Sequence, residues 1–165
     1  MGGRRASAWA RPARSEAAVR SPEAELRSLR ERAYAILSQR DHSRAELAGK
    51  LGLELDAPLL DELQQAGYLD ERRFAESFAR SRRRRGLGRE RILAELRQRG
   101  VERELAFQVT EEDDFEQAWE LARGRLARGK SAEQVMRFLL QRGFGPSLAR
   151  RAVLQVSRPE ESSEM

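Results

Sequence analysis

Arginine is the residue type with the most evident chemistry in this chain of 165 residues, and it is concentrated in one stretch. From Ser81 to Ile92 the sequence reads SRRRRGLGRERI, so half of these residues are arginines. A guanidinium group donates paired hydrogen bonds to phosphate or carboxylate oxygens, and a dense cluster therefore predicts contact with an anionic partner. Three interpretations are open at this point: a nucleic-acid backbone, an acidic protein surface, or a helix face that contacts only water.

The arginines exceed what a helix end needs. Arg82 to Arg85 surround the last turn of a predicted helix, where one or two cations suffice to favour the negative end of the helix dipole. Arg89 and Arg91 follow across a glycine turn and extend the basic ridge. Together with counterparts further along the chain, the predicted partner-binding or DNA-binding residues, called the arginine set, are Arg80, Arg82, Arg83, Arg84, Arg85, Arg89, Arg91, Arg123, Arg125 and Arg128.

The remaining composition argues against an enzyme. There is no cysteine and one histidine, His42, which excludes disulfides, thiolate metal sites, histidine metal clusters and a conventional catalytic triad. Consecutive acids from Glu111 to Asp114 would point in different directions, so they predict negative charge at a helix N-terminus rather than an ion site. His42 is predicted to be solvated in a polar turn. We predict no catalytic residues, no metal and no cofactor.

Charge is separated along the chain. The formal net charge is +5, yet residues 80–91 hold seven arginines against one glutamate, and residues 102–116 hold seven acids against one arginine. No segment approaches the roughly 20 apolar residues of a membrane-spanning helix, and residues 1–20 lack the apolar stretch of a secretory signal. We predict a cytoplasmic protein without membrane contact. Since no heptad seam for self-association is present, we predict a monomer.

Apolar residues recur at helical spacing through the middle of the chain, and this predicts an all-α fold. Capping residues and prolines mark where helices should begin. The predicted start signals are Ser21 with Pro22, a capping box at Ser43 to Glu46, Asp56 with Pro58, and a second capping box at Ser131 to Gln134.

Part of the sequence repeats with an offset of 43 residues. Under this shift Gln98-Arg99-Gly100 coincides with Gln141-Arg142-Gly143, and Leu105-Ala106 coincides with Leu148-Ala149. The pattern predicts three tandem three-helix repeats that form an elongated, curved array, in which each repeat contacts only its neighbours. The predicted units are a disordered basic tail over 1–21, repeats over 22–69, 70–111 and 112–156, and a disordered acidic tail over 157–165.

Two stretches resemble the signature of the RecX family. Gly67 to Ala75 reads GYLDERRFA, and Gly86 to Val101 reads GLGRERILAELRQRGV. The likeness extends over about Leu26 to Val156. The resemblance implies a bacterial regulator of the RecA recombinase, built from three tandem three-helix repeats, that lies in the groove of the RecA filament on single-stranded DNA. It also implies that the protein lowers the ATPase and strand-exchange activities of RecA and limits filament growth.

On this interpretation the arginine set faces either carboxylates of RecA or phosphates of single-stranded or duplex DNA. The alternative function is a DNA-binding helix-turn-helix module, since short three-helix units also suit a duplex groove. Modules that read duplex sequence commonly carry their cations on a recognition helix. Here the arginines end the first helix of a repeat and occupy the turn after it, which favours the filament regulator.

Overall fold

The computed structural model describes residues 21–157 of the chain. This part contains nine α-helices and no β-strand, so the predicted all-α class is confirmed. The two predicted tails lie outside the described residues except at their inner ends. Ser21 is the N-cap of the first helix, and Ser157 is the last residue of the ninth.

The nine helices form three tandem three-helix repeats. The second helix of each repeat is called its middle helix. The first repeat contains α1 (Pro22–Leu37), α2 (Arg44–Leu51) and α3 (Pro58–Gln65); the second contains α4 (Glu71–Arg84), α5 (Arg89–Gln98) and α6 (Arg103–Val109); the third contains α7 (Phe115–Leu126), α8 (Ala132–Gln141) and α9 (Pro146–Ser157).

Each repeat encloses a hydrophobic core of its own, to which all three of its helices contribute. Burial of such small cores stabilises the row of helices, because most of these helices are too short to persist alone in water. Representative buried residues are Ala33, Leu47 and Leu60 in the first core, Phe74, Ile92 and Ala106 in the second, and Ala118, Val135 and Ala152 in the third.

Two of the predicted helix starts are confirmed in full. The hydroxyl of Ser21 accepts a hydrogen bond from the backbone N–H of Ala24 at 3.2 Å, and Pro22 opens α1. Ser131 and Gln134 form a reciprocal capping box at the start of α8, with bonds of 3.2 Å and 3.1 Å. Both arrangements satisfy amide groups that have no partner inside the helix.

The other two starts differ from the prediction. Ser43 accepts the N–H of Glu46 at 3.1 Å, but the carboxylate of Glu46 does not return to Ser43. It binds two arginines instead, because a charge-assisted bond is stronger than a bond to a neutral amide. The N-cap of α3 is Ala57 rather than Asp56, and no side chain caps this helix.

Candidate functional site

The structure divides the arginine set into internal and exposed members. Arg82 is internal: its Nε lies 2.6 Å from Oε2 of Glu95, and its Cζ lies 4.5 Å from the ring centroid of Phe78. Its side chain is only 18% exposed. An arginine that is shielded, paired with a carboxylate and stacked on an aromatic ring has little surface left for a partner.

Arg83 is also internal, with a side chain that is 14% exposed. It pairs with Glu112 at 2.9 Å and with Asp114 at 3.5 Å, and its carbonyl oxygen accepts a hydrogen bond from Gln117. These contacts fix the end of α4 against the start of α7. Arg83 therefore joins the second repeat to the third, whereas the contacts of Arg82 lie within the second repeat.

Arg84 and Arg85 are exposed, and neither has a carboxylate partner within residues 21–157. The carbonyl of Arg85 accepts a hydrogen bond from Nη1 of Arg142 at 2.8 Å, so its backbone is held while its guanidinium faces solvent. Of the four consecutive arginines, these two at the end of α4 stay exposed without a carboxylate partner in the described residues.

The other members of the arginine set before α7 differ in their exposure and in their internal partners. Arg80 and Arg91 are more than half exposed and pair loosely along their own helices, with Glu76 at 3.9 Å and Glu95 at 3.1 Å. Arg89 is half-buried, with its Cζ 5.7 Å from the centroid of Phe107.

The three members on and after α7 stack on their own repeat or face solvent. Arg123 is exposed, with its Cζ 4.8 Å from the Trp119 ring, and Arg125 is half-buried 3.4 Å from the Phe138 ring. Arg128 is exposed without a carboxylate partner in the described residues.

The end of α4 lies against α7, since a Cβ added to Gly86 would lie 3.5 Å from Leu121.

The first and second repeats meet at a contact that we call the first joint. The backbone N–H of Arg44, at the start of α2, donates to Oε2 of Glu71 at 2.7 Å. The hydroxyl of Ser43 donates to the carbonyl oxygen of Arg99 at 2.6 Å. An ion pair between Glu46 and Arg99 completes the contact. The start of one middle helix therefore rests on the end of the next.

The second and third repeats meet in the same way at the second joint. The backbone N–H of Arg89, at the start of α5, donates to Oδ2 of Asp114 at 2.6 Å. The N–H of Gly88 donates to the carbonyl of Arg142 at 2.9 Å, and the N–H of Glu90 donates to the carbonyl of Gly143 at 3.0 Å.

The two joints use equivalent residues. Glu71 and Asp114 are 43 positions apart, as are Arg99 and Arg142, which is the offset found in the sequence. In both joints a carboxylate from the following repeat caps the start of a middle helix, where the helix dipole favours negative charge. The repeated sequence thus encodes a repeated contact as well as a repeated core.

Burial at the joints changes the acidity of the carboxyl groups. Burial raises the pKa of Glu71, although the backbone hydrogen bond from Arg44 opposes the shift. Burial likewise raises the pKa of Asp114 against the opposing bond from Arg89. In both cases desolvation of the carboxylate raises the pKa more than its hydrogen bonds and neighbouring arginines lower it.

Two other glutamates have the opposite shift. Burial pushes the pKa of Glu46 upward, but hydrogen bonds and charge from Arg40 and Arg99 outweigh it and lower the pKa below its usual value. The pKa of Glu95 is lowered in the same manner by Arg91 and Arg82. Each of these glutamates is held as a carboxylate between two arginines.

The prediction that His42 is solvated is wrong. Its side chain is 3% exposed, and its Nδ1 lies 2.9 Å from the carbonyl oxygen of Arg40. Burial lowers its pKa, so the neutral imidazole is favoured. Two neighbours of His42 in the same turn contact the second repeat: Asp41 pairs with Arg73, and Ser43 donates to the carbonyl of Arg99. A turn that is polar in sequence is therefore covered by the second repeat.

The acidic run before α7 is bound by arginines and backbone. Glu112 pairs with Arg83, Asp113 lies 3.8 Å from Arg151, and Asp114 caps α5. Within the described residues no group of three or more acids and histidines is arranged to hold a metal ion. None of the helices in residues 21–157 is long and apolar enough to cross a membrane.

Sequence reasoning missed the carboxylates that fix the arginines. Asp114, Glu95 and Glu46 decide which guanidinium groups are internal, and none was predicted as part of the site. One signal was present in the sequence: Asp114 follows Glu71 by the repeat offset, and a charged residue at both positions indicates a shared contact.

The fold and its two equivalent joints define a tandem helical-repeat protein. A family model described as "RecX, second three-helix domain" matches residues 70–109. The chain is 48% identical over 79 residues to Regulatory protein RecX of Halorhodospira halophila, covering 45% of this chain and 49% of that protein. It is 34% identical over 115 residues to Regulatory protein RecX of Yersinia enterocolitica, covering 52% and 69%. The chain belongs to the RecX family, as the resemblance indicated.

Solved structures support the fold. The crystal structure of RecX from Lactobacillus salivarius aligns with a TM-score of 0.71 at 18% identity, covering 80% of this chain and 96% of that chain. A second structure, described as "Crystal structure of regulatory protein RecX", aligns with a TM-score of 0.69 at 20% identity, covering 81% and 73%. The sequence alignments span about half the length of several relatives, 49% for Halorhodospira halophila and 57% for Chromohalobacter salexigens.

Proposed function

We propose that this protein is a cytoplasmic, non-enzymatic regulator that binds the RecA filament on single-stranded DNA and lowers its ATPase and strand-exchange activities. Membership of the RecX family supports the partner. The observation that carries the proposed contact is the division of the arginine set: Arg84 and Arg85 are exposed without an internal carboxylate, and the carbonyl of Arg85 is held by Arg142 at the second joint.

A row of repeats suits a polymeric partner. Each exposed arginine contributes little alone, because a solvent-exposed ion pair is worth only about 0–1 kcal/mol. Several such contacts on one chain combine, since the second contact forms at high effective concentration once the first has formed. Arg84, Arg85 and Arg128 are candidates for such contacts and lie on two different repeats. The protein acts as a monomer in this proposal.

The test measures ATP turnover by RecA on single-stranded DNA while the protein is titrated. We expect turnover to fall. Reversing the charge of the exposed pair, Arg84→Glu with Arg85→Glu, is expected to weaken inhibition about tenfold or more. Arg82 and Arg83 are left unchanged, because replacing them would break internal ion pairs. Weaker inhibition by such a variant could then result from a disturbed fold instead of a lost contact with RecA.

The matched control reverses two other exposed arginines, Arg27→Glu and Arg137→Glu, which lie outside the arginine set and produce the same change in net charge. Equal weakening by both double variants would show a general charge effect and remove the proposed contact. Unchanged turnover at saturating wild-type protein would remove the function itself.

Binding to naked DNA distinguishes the alternative of a DNA-binding module. If Arg84, Arg85 and Arg128 contact phosphates of single-stranded DNA, three contacts give a slope of about −2 in a plot of log affinity against log salt. Affinity should then fall about 20-fold between about 50 and about 200 mM salt. A flat salt dependence together with inhibited turnover supports carboxylates of the recombinase as the partner.

A further inference from the structure

A groove of about 640 Å³ runs between the first and second repeats, beside the first joint. One wall is the start of α2, and the other is one face of α5, whose lining residues recur at helical spacing. The groove is lined by Ala45, Glu46, Arg91, Ala94, Glu95, Gln98 and Arg99.

The charged walls of the groove are fixed by the protein itself. Glu46 lies between Arg40, at 3.1 Å, and Arg99. Glu95 lies between Arg82, at 2.6 Å, and Arg91, at 3.1 Å. Each wall therefore carries one carboxylate that is held by two arginines.

An aromatic ring connects the two walls. The Cζ atoms of Arg82 and Arg99 lie 4.5 Å and 4.8 Å from the centroid of Phe78, so both guanidinium groups stack on the same ring. These side chains are ordered before any partner arrives, and binding to them costs little conformational entropy.

The balance of charge favours protein over nucleic acid as the occupant. The two glutamates that line the groove are paired with four arginines, two of them in the lining and two, Arg40 and Arg82, beside it, so most of these guanidinium groups are already engaged by carboxylates. A phosphodiester chain carries negative charge at every nucleotide and needs several unpaired cations in a row, which these internal ion pairs do not leave. A polypeptide segment can instead present both signs and neutral amides.

Arg91 is the group in this groove best placed to hold a partner. Its side chain is 57% exposed, and its hydrogen bond to Glu95 uses Nε. Its two Nη nitrogens donate to no acceptor within residues 21–157. The small side chains of Ala45 and Ala94 leave room for a backbone to approach, and Gln98 offers an exposed amide.

We propose that this groove binds a segment of the recombinase whose Asp or Glu side chain pairs with Arg91. The proposal rests on the proposed function for the identity of the partner, and it adds a second contact that is separate from Arg84 and Arg85. Polypeptide lies in the groove, and DNA does not.

The experiment fills the groove without changing its charges. Ala94→Trp places a large side chain between the walls at an exposed helix position, and Ala35→Trp is the matched control at an exposed position of α1. Thermal unfolding followed by circular dichroism checks that both variants fold. We expect Ala94→Trp to bind RecA filaments about tenfold more weakly than wild type, and Ala35→Trp to bind as wild type does.

Two further measurements identify the occupant. Arg91→Gln removes the charge but keeps the Cβ, and we expect it to weaken filament binding while leaving binding to a naked single-stranded oligonucleotide unchanged. A photo-crosslinking amino acid at position 94 should yield an adduct with the recombinase rather than with labelled DNA.

The outcomes separate this proposal from the proposed function. If wild-type protein inhibits the recombinase and Ala94→Trp inhibits equally, the groove proposal is wrong and the function stands. A crosslink to DNA also overturns the groove proposal. If wild-type protein neither binds nor inhibits the filament, the function fails, and the groove proposal fails with it.

Discussion

The second joint should be sensitive to a single methyl group. Gly88 has φ of −84° and ψ of 169°, which any residue can adopt, so alanine there costs no backbone strain. A Cβ at this position would nevertheless lie 2.6 Å from the carbonyl oxygen of Gly143 and 2.6 Å from the N of Phe144. At the equivalent positions, Ser43 is buried and contacts Arg99 through its hydroxyl, and Ser131 is exposed.

The magnitude follows from the bonds that must stretch. To relieve the contact, the segment around Gly88 and the segment around Gly143 must separate until the Cβ is at least 3.0 Å from the opposing backbone. The hydrogen bonds from Gly88, Arg89 and Glu90, now 2.9, 2.6 and 3.0 Å long, would lengthen together. Loss of all three bonds, worth about 1 kcal/mol each, together with an overpacking cost of about 1–3 kcal/mol, would destabilise the joint by up to about 4–6 kcal/mol.

The assay is urea unfolding with two signals. Circular dichroism reports all the helices, whereas Trp119 fluorescence reports the third repeat once Trp9 has been replaced by phenylalanine. In wild type we expect the two transitions to coincide, because joints couple the repeats. With Gly88→Ala we expect the Trp119 transition to separate from the circular dichroism transition, as the third repeat is uncoupled.

Gly124→Ala is the control, since Gly124 lies inside α7 and a Cβ there would meet no atom within 4 Å. The same chemical change should stabilise this helix by about 0.5–1 kcal/mol. Coincident transitions with an unchanged midpoint in Gly88→Ala would refute the close backbone contact on which the second joint is built.

Two further perturbations test the caps and the buried acid. Ser43→Ala should lower the free energy of unfolding by about 2–3 kcal/mol, and Ser131→Ala should lower it by only about 1 kcal/mol, as measured by urea titration. The difference is expected because Ser43 also donates to Arg99 across the first joint. Equal losses in the two variants would contradict this contact. Because the pKa of Asp114 is raised in the folded protein, the unfolded chain releases this proton at lower pH, and the free energy of unfolding should fall as pH rises from the ordinary aspartate pKa through the raised one. Asp114→Asn should make that decline shallower, and an unchanged slope would show that Asp114 does not titrate abnormally.

Much of the fold was predictable because short-range signals repeat. Helical spacing of apolar residues gave the all-α class, and Pro22, Pro58 and Pro146 each open a helix as local chemistry requires. The repeat boundaries at 22–69, 70–111 and 112–156 stay a prediction. The start of α3 was misplaced by one residue because Asp56 is a good capping residue by type, while the chain places Ala57 at that position.

The site was less predictable because charge alone does not reveal burial. Arg82 to Arg85 are identical in type and adjacent in sequence, yet Glu95 and Asp114 hold the first two inside while the last two face solvent. Those carboxylates come from other helices, one of them in the next repeat. Only the packing of α4 against its neighbours decides which cations remain exposed, and a sequence pattern along one helix does not contain that information.

The three middle helices in residues 21–157 differ in how their N-termini are capped. Ser131 and Gln134 close the N-terminus of α8 with their own side chains, in the position where α2 and α5 accept a carboxylate from a following repeat. Within residues 21–157, the second repeat carries joint residues on both of its sides. A tandem duplication of residues 70–112 would therefore insert a 43-residue unit that matches the existing neighbours in register. The joint between the two copies would set Arg89 against Glu71, which is the same carboxylate-to-backbone contact that both existing joints use.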